Sequence, residues 1–351
     1  MSSVELAKTK PRESVADCYT KILADLTYAV TNLPVGTAGS GTGENTYRAT
    51  RAAAYALRMR VNLHKNDVDA VIADEAAMLP GTLTPLNFTG MVCPTGGWKL
   101  TPTVNGPFTN NFSTESIFSI KNDALDNPQT NASLARMYGQ SSTATGGRGL
   151  CAISPIAWNM VEWTCSDRRR TVLYYNGIDN LGTTSKFTSK YTDATNQSDW
   201  APYIRYAEVL LIAAEAEARK AAGASQRAID LLNTVRNRAI VDSVTNQYTI
   251  GTLPTKNAVI NAILKERRIE FLAEGKRWGD IHRWVNDATF GTGGVPAKVV
   301  NGFNNISAFV CGGALPALGQ DAIPYSDYRF LWPIPQQERN TNPIVAQNPG
   351  Y

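Results

Sequence analysis

The sequence predicts a mainly α fold built from antiparallel helical hairpins, with long irregular loop insertions and few short strands. Apolar residues recur at steps of three and four near both ends of the chain, which is the period of a helix packed on one face. Between these regions, residues 81–149 are rich in Thr, Asn, Gly and Pro and have almost no periodicity. The 351 residues are enough to bury a substantial apolar core without disulfide or metal crosslinks.

Residues 14–79 are predicted to form successive antiparallel helices. Ser14 and Asp17 are spaced as a capping box, and the first apolar face consists of Val15, Cys18, Tyr19, Ile22, Leu26 and Ala29. A Gly-rich link at 36–43 precedes a second helix that reaches about His64. Asp67 can cap a third helix, which lasts until Pro80.

Residues 81–200 form a loop-rich region, and we expect it to face the ligand. Its segment without periodicity is too long for an ordinary connection, and such segments tend to carry function. Helical periodicity is weak at 154–162, and strand-like fragments occur at 171–175 and 186–191.

The strongest helices are predicted in residues 203–351. An apolar stripe from Tyr203 to Ala218 predicts one helix, which Gly223 ends. Ser225 can cap a second helix with an apolar stripe of its own, and the two helices together make a hairpin of tetratricopeptide-like size. Further helices are expected at 255–274 and around Trp278. The proline-rich tail, 331–351, is expected to be extended and ordered over these helices.

Composition argues against several classes of function. Lys and Arg total 34 against 30 Asp and Glu, without a basic tract, so nucleic acid is not an expected partner. The five cysteines are scattered and form no Cys-x-x-Cys pair, which predicts mostly buried thiols and neither a disulfide framework nor a zinc site. The glycines at 36–43 meet neither nucleotide-binding motif, and only two histidines are present, so no cofactor or histidine-based catalysis is expected.

Glu266, Glu270 and Glu274 lie one helical turn apart and suggest two interpretations. Paired carboxylates can divide the acid and nucleophile roles of glycoside hydrolysis if burial raises one pKa. The surrounding basic residues favour a structural ion-pair network instead. In that network we expect Glu266, Glu270, Arg267, Arg268 and Arg277 to be buried and paired.

Among the aromatic residues, Trp98 is the best candidate for an exposed ligand-binding platform. It lies in the glycine-flanked segment CPTGGWK, outside any helical stripe. Phe108, Phe112 and Tyr138 are weaker candidates nearby in sequence. Ordinary burial of Trp98 under a loop remains an equal alternative.

Four sequence blocks resemble, in order, those of the SusD/RagB-like lipoproteins. They are RYAEVLLIAAEAEA from Arg205, LLNTVRNRA from Leu231, ILKERRIEFLAEGKRWGDIHRW from Ile263 and LWPIPQQERNTNPIVAQNPGY from Leu331. The helical segments of residues 14–79 resemble that family too. The resemblance covers both ends of the chain and most of its helices.

The resemblance implies a fold of tetratricopeptide-like hairpins, an alpha-alpha superhelix, that forms one domain over 1–351. It also implies a non-enzymatic glycan-binding protein on the bacterial outer membrane, held by a lipid anchor, that delivers oligosaccharides to a SusC-type TonB-dependent transporter. Two alternatives remain: the same fold binding another nutrient such as a peptide, and a glycoside hydrolase. Family members usually begin with an export signal and an anchor Cys, and we expect that N-terminal part to be absent here.

The resemblance further implies that the charged and aromatic residues of the blocks are structural. These are Arg205, Glu208, Glu215, Arg236, Glu266, Arg267, Arg268, Glu270, Glu274, Arg277, Trp278 and Asp280.

Overall fold

The computed structural model describes residues 8–40, 44–300 and 306–351, and this part of the chain is mainly helical. The helices, numbered in chain order, are α1 Val15–Asn32, α2 Glu44–Tyr47, α3 Arg51–His64, α4 Val68–Ala73, α5 Glu75–Met78, α6 Gly106–Thr109, α7 Leu134–Tyr138, α8 Pro155–Trp158, α9 Arg169–Val172, α10 Tyr206–Lys220, α11 Gln226–Ala239, α12 Ser243–Asn246, α13 Lys256–Glu270, α14 Lys276–Arg283 and α15 Gln336–Thr341. Short 3-10 turns occupy Pro85–Gly90, Ile306–Ala308 and Tyr328–Phe330.

Eight short strands form four antiparallel pairs within the described residues. The strands are β1 Ser116–Ile120, β2 Tyr174–Ile178, β3 Thr184–Thr188, β4 Ala201–Arg205, β5 Gly294–Val295, β6 Lys298–Val299, β7 Leu318–Gln320 and β8 Ile323–Pro324. The pairs are β1 with β4, β2 with β3, β5 with β8 and β6 with β7. The mainly α fold with few short strands is therefore confirmed, and the two predicted strand fragments are the β2–β3 hairpin, displaced by a few residues.

Helices α1 and α3 form the N-terminal hairpin. The Ser14 and Thr50 hydroxyls accept hydrogen bonds from the backbone N–H groups of Asp17 and Ala53, so each helix begins at a side-chain cap. Much of the predicted apolar face of α1 remains at the surface, and only Leu26 and Val30 of this helix are buried. No helix in the described part of the chain is long and apolar enough to cross a membrane.

The main core lies between α3, α4 and the C-terminal helices α10, α11 and α13. Helix α10 is buried on nearly all sides, because α4, α11 and α13 all pack against it. The pair α10–α11 is the predicted hairpin of tetratricopeptide-like size. Helix α13 ends at Glu270, four residues before the predicted end, where the backbone N–H of Phe271 bonds the carbonyl of Arg267.

The middle region is irregular but well anchored to the helices. Strand β1 pairs with β4, which continues directly into α10. A second apolar cluster contains Trp158, Trp163 and Tyr174. A disulfide joins Cys165 to Cys311 beside this cluster, so the expectation of only free, mostly buried thiols is wrong for this pair. Cys93 is a buried free thiol, as expected, whereas the Cys18 thiol is exposed.

The C-terminal tail is held in place by hydrogen bonds. The Gln347 amide bonds both the N–H and the carbonyl of Ile334, and the Asn348 amide nitrogen donates to the Trp332 carbonyl at 2.6 Å. The Trp332 side chain itself is 71% exposed, although its ring lies 5.9 Å from that of Trp278. The tail is therefore ordered through its backbone rather than through burial of its tryptophan.

Candidate functional site

Trp98 lies in the main core and has no exposed surface, so the exposed platform predicted there is wrong. Gly96 and Gly97 adopt positive φ angles of 88° and 78°, which glycine tolerates best. The turn they form is closed by a hydrogen bond of 2.7 Å from the Cys93 N–H to the Trp98 carbonyl. The glycines therefore turn the chain back into the core instead of opening it to a ligand.

Phe108 and Tyr138 are brought together through Tyr191, which the sequence analysis did not single out. Tyr191 lies 6.1 Å from the Phe108 ring and 6.4 Å from the Tyr138 ring, centroid to centroid. Phe108 is half-buried, with the Lys190 ammonium 5.1 Å from its ring centre. Burial raises the pKa of the Tyr138 phenol, which stays protonated at neutral pH. These three aromatic residues form a continuous row across the middle region.

Phe112 is exposed and belongs to a second aromatic group. Its ring makes an edge-on contact with Trp200 at 6.0 Å, and Trp200 makes another with Tyr47 at 5.5 Å. Phe112 is 39% exposed, while Trp200 and Tyr47 are half-buried. Trp200 was missed by the sequence analysis. The signal that points to it is a lone aromatic residue at the end of the polar segment 192–199.

A polar cavity of about 340 Å³ lies beside Phe108 of the first aromatic group. It is lined by Phe108, Thr109, Asn111, Ser189, Thr192, Ser198 and Asp199. Asn111 and Asp199 directly precede Phe112 and Trp200 in the chain, so the wall of the cavity leads by one residue on each side to this aromatic pair. We call this cavity with Phe112, Trp200 and Tyr47 the loop face.

Asp199 gives the cavity its carboxylate and also organises its wall. The Oδ2 atom accepts hydrogen bonds from the N–H groups of Thr192 at 3.0 Å and Asp193 at 2.8 Å. The Asn122 side chain donates to the Asp199 carbonyl at 2.7 Å. Burial raises the pKa of Asp199. The other carboxylate oxygen accepts no hydrogen bond from the described residues and is available to a ligand hydroxyl.

A second cavity of about 220 Å³ continues from the first, because Thr192 lines both. Tyr191, Tyr175 and Gln140 also contribute to its wall. Aromatic faces, hydroxyls, an amide and a carboxylate therefore follow one another along this surface. Aromatic rings stack on the C–H faces of sugars, while polar side chains bond their hydroxyls.

The predicted charged helix is the centre of a buried ion-pair network. The Glu270 carboxylate accepts hydrogen bonds from Arg238 at 2.7 Å, Arg205 at 2.9 Å and Arg169 at 2.9 Å. Burial alone would raise the pKa of Glu270, but these three guanidinium groups outweigh burial and hold the pKa below its ordinary range. Glu270 is therefore ionised and saturated with donors.

The rest of the glutamate row is held in the same way. Glu266 bonds Arg169 at 2.6 Å and lies 3.7 Å from Arg236, while Glu274 bonds Lys190 at 2.6 Å and Arg205 at 2.8 Å. Neither Glu266 nor Glu274 lines the cavity of the loop face or the second cavity beside it. All three carboxylates of the row therefore have basic partners, which is the arrangement of a structural ion-pair network.

A second set of buried charges joins α10 to α14. Glu215 bonds Arg283 at 2.7 Å, and Arg283 also bonds Asp280 at 2.8 Å. Glu208 bonds Arg60 of the N-terminal hairpin at 2.7 Å. Asp280 is buried, but Arg267 and Arg283 outweigh that burial and lower its pKa to about 2. These pairs hold the two helical hairpins together.

Two members of the predicted network differ from expectation. Arg268 and Arg277 are half-buried, and neither makes a salt bridge with any residue that the structure describes. Burial, and then the neighbouring Arg277, lowers the pKa of Arg268 to about 10. The Arg277 guanidinium lies 5.4 Å from the centre of the Trp284 ring instead. The prediction that both residues are paired is therefore wrong. Trp278, expected to be a structural residue, is 40% exposed.

No cluster of three or more His, Cys, Asp or Glu residues suited to a metal ion occurs in residues 8–40, 44–300 and 306–351.

Comparison with known proteins places the chain in a family. The SusD family model matches residues 174–351. SusD-like protein P2 of Formosa agariphila is 30% identical over 231 residues, which are 58% of this chain and 41% of that relative. The chain therefore spans less than half of this relative.

Solved structures share the fold over nearly the whole chain. A SusD superfamily protein of Bacteroides fragilis has a TM-score of 0.72 and 27% identity, over 98% of this chain and 66% of that one. Surface glycan-binding protein A of Bacteroides uniformis has a TM-score of 0.66 over 96% of this chain and 70% of that one, and at 19% identity it shows the fold alone. The family model and the shared helical fold agree: this chain belongs to the SusD family.

Proposed function

We propose that this protein binds an oligosaccharide at the loop face and delivers it to a SusC-type TonB-dependent transporter of the outer membrane. The observation that carries the proposal is the polar cavity beside the contact between Phe112 and Trp200. An oligosaccharide is held by flat apolar surface together with hydrogen-bonding groups, and the loop face has both.

The comparisons support this function. One protein of the same fold is described as a surface glycan-binding protein. Family membership links the chain to outer-membrane nutrient uptake, and it is the basis for proposing the transporter as partner. The solved structures extend beyond the part matched by this chain, so residues outside it can also contribute to a ligand face in those proteins.

The chemistry of the glutamate row favours binding over hydrolysis. A glycosidase needs one carboxyl group that is protonated and one that is free to attack or to activate water. Glu270 instead has a lowered pKa and three arginine partners. We therefore propose that the protein is a binding protein and not an enzyme.

The disulfide supports a location outside the cytoplasm. Disulfides form and persist in oxidising compartments and are rare where glutathione keeps thiols reduced. The bond between Cys165 and Cys311 fits a surface lipoprotein of the outer membrane, which is the location that we propose.

Calorimetric titration of the chain with soluble oligosaccharides and with peptides of similar size tests this function. We expect saturable binding of at least one oligosaccharide, with no peptide binding and no shortened sugar on chromatography of the same samples. Peptide binding alone would replace the glycan proposal with a peptide-binding function. Shortened sugars would contradict the proposal that the protein is not an enzyme.

A further inference from the structure

The polar cavity of the loop face contains one charged side chain among the described residues, that of Asp199. The rest of its wall is formed by hydroxyl and amide side chains and by Phe108. The second cavity, which adjoins it at Thr192, is lined by no charged side chain of the described chain. The charge of the polar cavity is therefore negative and comes from a single carboxylate.

One oxygen of the Asp199 carboxylate is accessible and has no hydrogen-bond donor. Oδ2 accepts the N–H groups of Thr192 and Asp193, whereas Oδ1 accepts no hydrogen bond from the described residues. Some buried side-chain atoms elsewhere in the chain also lack a partner, but Oδ1 is not one of these buried atoms, so it keeps accessible surface. Because Asp199 lines the cavity, Oδ1 is an acceptor that a ligand hydroxyl can reach.

No cation of the described chain neutralises this carboxylate. Burial raises the pKa of Asp199, two backbone N–H groups lower it, and the negative charge of Asp193 raises it. No Lys, Arg or His side chain of the described residues lowers it. The Asp193 carboxylate accepts hydrogen bonds from the Asn196 N–H and from the hydroxyl of Ser198, which lines the cavity. A second negative charge therefore lies beside the first.

Two cations lie next to Phe108, but both are buried and already paired. The Lys190 ammonium lies 5.1 Å and the Arg205 guanidinium 5.4 Å from the centre of the Phe108 ring. Lys190 bonds Glu274 at 2.6 Å. Arg205 bonds Glu274 at 2.8 Å and Glu270 at 2.9 Å. The two basic side chains are at most 1% exposed, so neither can contact a ligand in the cavity.

Other positive charges lie at the margins of the loop face. Lys121 and Arg48 lie over the Tyr47 ring, at 5.1 and 5.6 Å from its centre. Arg136 bonds the carbonyl of Ala194, which belongs to the wall of the second cavity. None of these three basic side chains lines the polar cavity. The absence of a compensating cation among the described residues therefore concerns the sugar unit inside the polar cavity.

We propose that the polar cavity selects an uncharged sugar unit and excludes one that carries a carboxylate or a sulfate. This inference rests on the proposed function and names the substrate class of the same site. An anionic group in the cavity would lose water and meet the Asp199 charge without a cation to compensate it, and like charges brought together at a binding site weaken binding. Hydroxyl groups instead donate to Oδ1 of Asp199 and bond the hydroxyl and amide side chains of the wall.

Matched pairs of oligosaccharides test this selectivity. Cello-, manno- and laminari-oligosaccharides are each compared with the uronate oligosaccharide of the same linkage and length, in which a carboxylate replaces the primary alcohol of every unit. Calorimetric titration at neutral pH and low ionic strength, where charge effects are least screened, measures both affinities. In each pair that binds, we expect the neutral member to bind about tenfold or more tightly than its uronate.

An Asp199→Asn variant separates the effect of charge from a general disturbance of the site. The amide keeps an oxygen for the N–H groups of Thr192 and Asp193, removes the negative charge and replaces Oδ1 with a donor. We expect weaker binding of the neutral member and stronger binding of the uronate, so that the ratio of their affinities falls about tenfold. A disturbed fold would weaken both. Asp126→Asn is the matched control, because this exposed carboxylate lines neither cavity, and it should leave the ratio unchanged.

Two results would overturn this proposal while leaving oligosaccharide binding at the loop face intact. One is a uronate that binds as tightly as its neutral counterpart, or more tightly. The other is a folded Asp199→Asn variant with the same affinity ratio as the unaltered protein. If no member of any pair binds, the proposed function itself fails, and the selectivity fails with it.

Discussion

Arg205 and Glu270 form a buried salt bridge, with Nη1 of the arginine 2.9 Å from Oε1 of the glutamate. Arg205 immediately precedes α10, and Glu270 is the last residue of α13. Arg205 also bonds Glu115, which lies just before β1 in the middle region. The Arg205 guanidinium group thus connects the middle region, which carries the loop face, to helices α10 and α13. We expect this ion-pair network to stabilise the position of the loop face.

Glu270→Ala is predicted to destabilise the protein strongly. The change leaves Arg169, Arg205 and Arg238 with fewer partners in a buried site, and breaking such a pair costs about 3 kcal/mol or more. Urea unfolding measures the loss. Glu44→Ala is the control, because its ion pair with Arg48 is exposed and should contribute less than about 0.5 kcal/mol. Equal stability of the two variants would refute the structural role of the network.

Trp98→Ala is predicted to lower the free energy of unfolding by about 3–5 kcal/mol, because it removes a fully buried indole from the core. Trp332→Ala, at an exposed tryptophan of the tail, should change it by less than about 0.5 kcal/mol. Thermal or urea unfolding of both variants checks this. If the Trp98→Ala variant were as stable as the unaltered protein, Trp98 would not be a core residue and could again be an exposed ligand-binding platform.

Removal of the disulfide is predicted to cost about 2–4 kcal/mol, because the bond closes a long loop in the unfolded chain. The double variant Cys165→Ser with Cys311→Ser should show this loss in unfolding experiments under oxidising conditions. Cys18→Ser, which alters an exposed free thiol, is the control. If a reducing agent destabilised the double variant and the unaltered protein equally, the bond would not form in solution.

His64 is predicted to make the protein less stable in mild acid. Its pKa is about 4 in the folded chain, against an ordinary value of 6.5, so between these values only the unfolded chain takes up the proton. The neutral His64 side chain makes its whole contribution to the free energy of unfolding above about pH 6.5. This contribution decreases as the pH falls towards 4. His64→Gln removes the effect, so its stability relative to the unaltered protein should rise by about 2 kcal/mol from pH 7 to pH 4.5.

The difference between the two unfolding free energies is the quantity to measure, because other groups titrate equally in both proteins. A difference that stays constant across this pH range would show that His64 is not buried in its neutral form.

The helices could be predicted because their signals are local. The apolar stripes and the caps at Ser14 and Ser225 lie within one or two turns, and both caps form in the structure. The split of the third helix into α4 and α5 at Asp74 was not predictable in this way. The Asp74 carboxylate bonds Arg58 of α3, which is a contact between two helices.

The site was harder to predict because its parts are distant in sequence. Phe112 and Trp200 are far apart in the sequence, and even the pairing of β1 with β4 does not signal their contact, because its register places Ala201 opposite Ile120 and not near Phe112. The same limit applies to Cys165 and Cys311, whose sequence separation is 146. For Trp98, the two preceding glycines are compatible with a turn into the core or with an open loop, and only the surrounding packing decides between them.

The affinity of a Trp200→Ala variant for the tightest-binding oligosaccharide tests the central proposal most directly. Loss of a stacking aromatic residue beside the polar cavity should weaken binding about tenfold or more, because the ring provides both buried area and a specific contact. Trp332→Ala, an exposed tryptophan outside the loop face, should bind the sugar unchanged. If a folded Trp200→Ala variant binds as tightly as the Trp332→Ala variant, the loop face is not the glycan site.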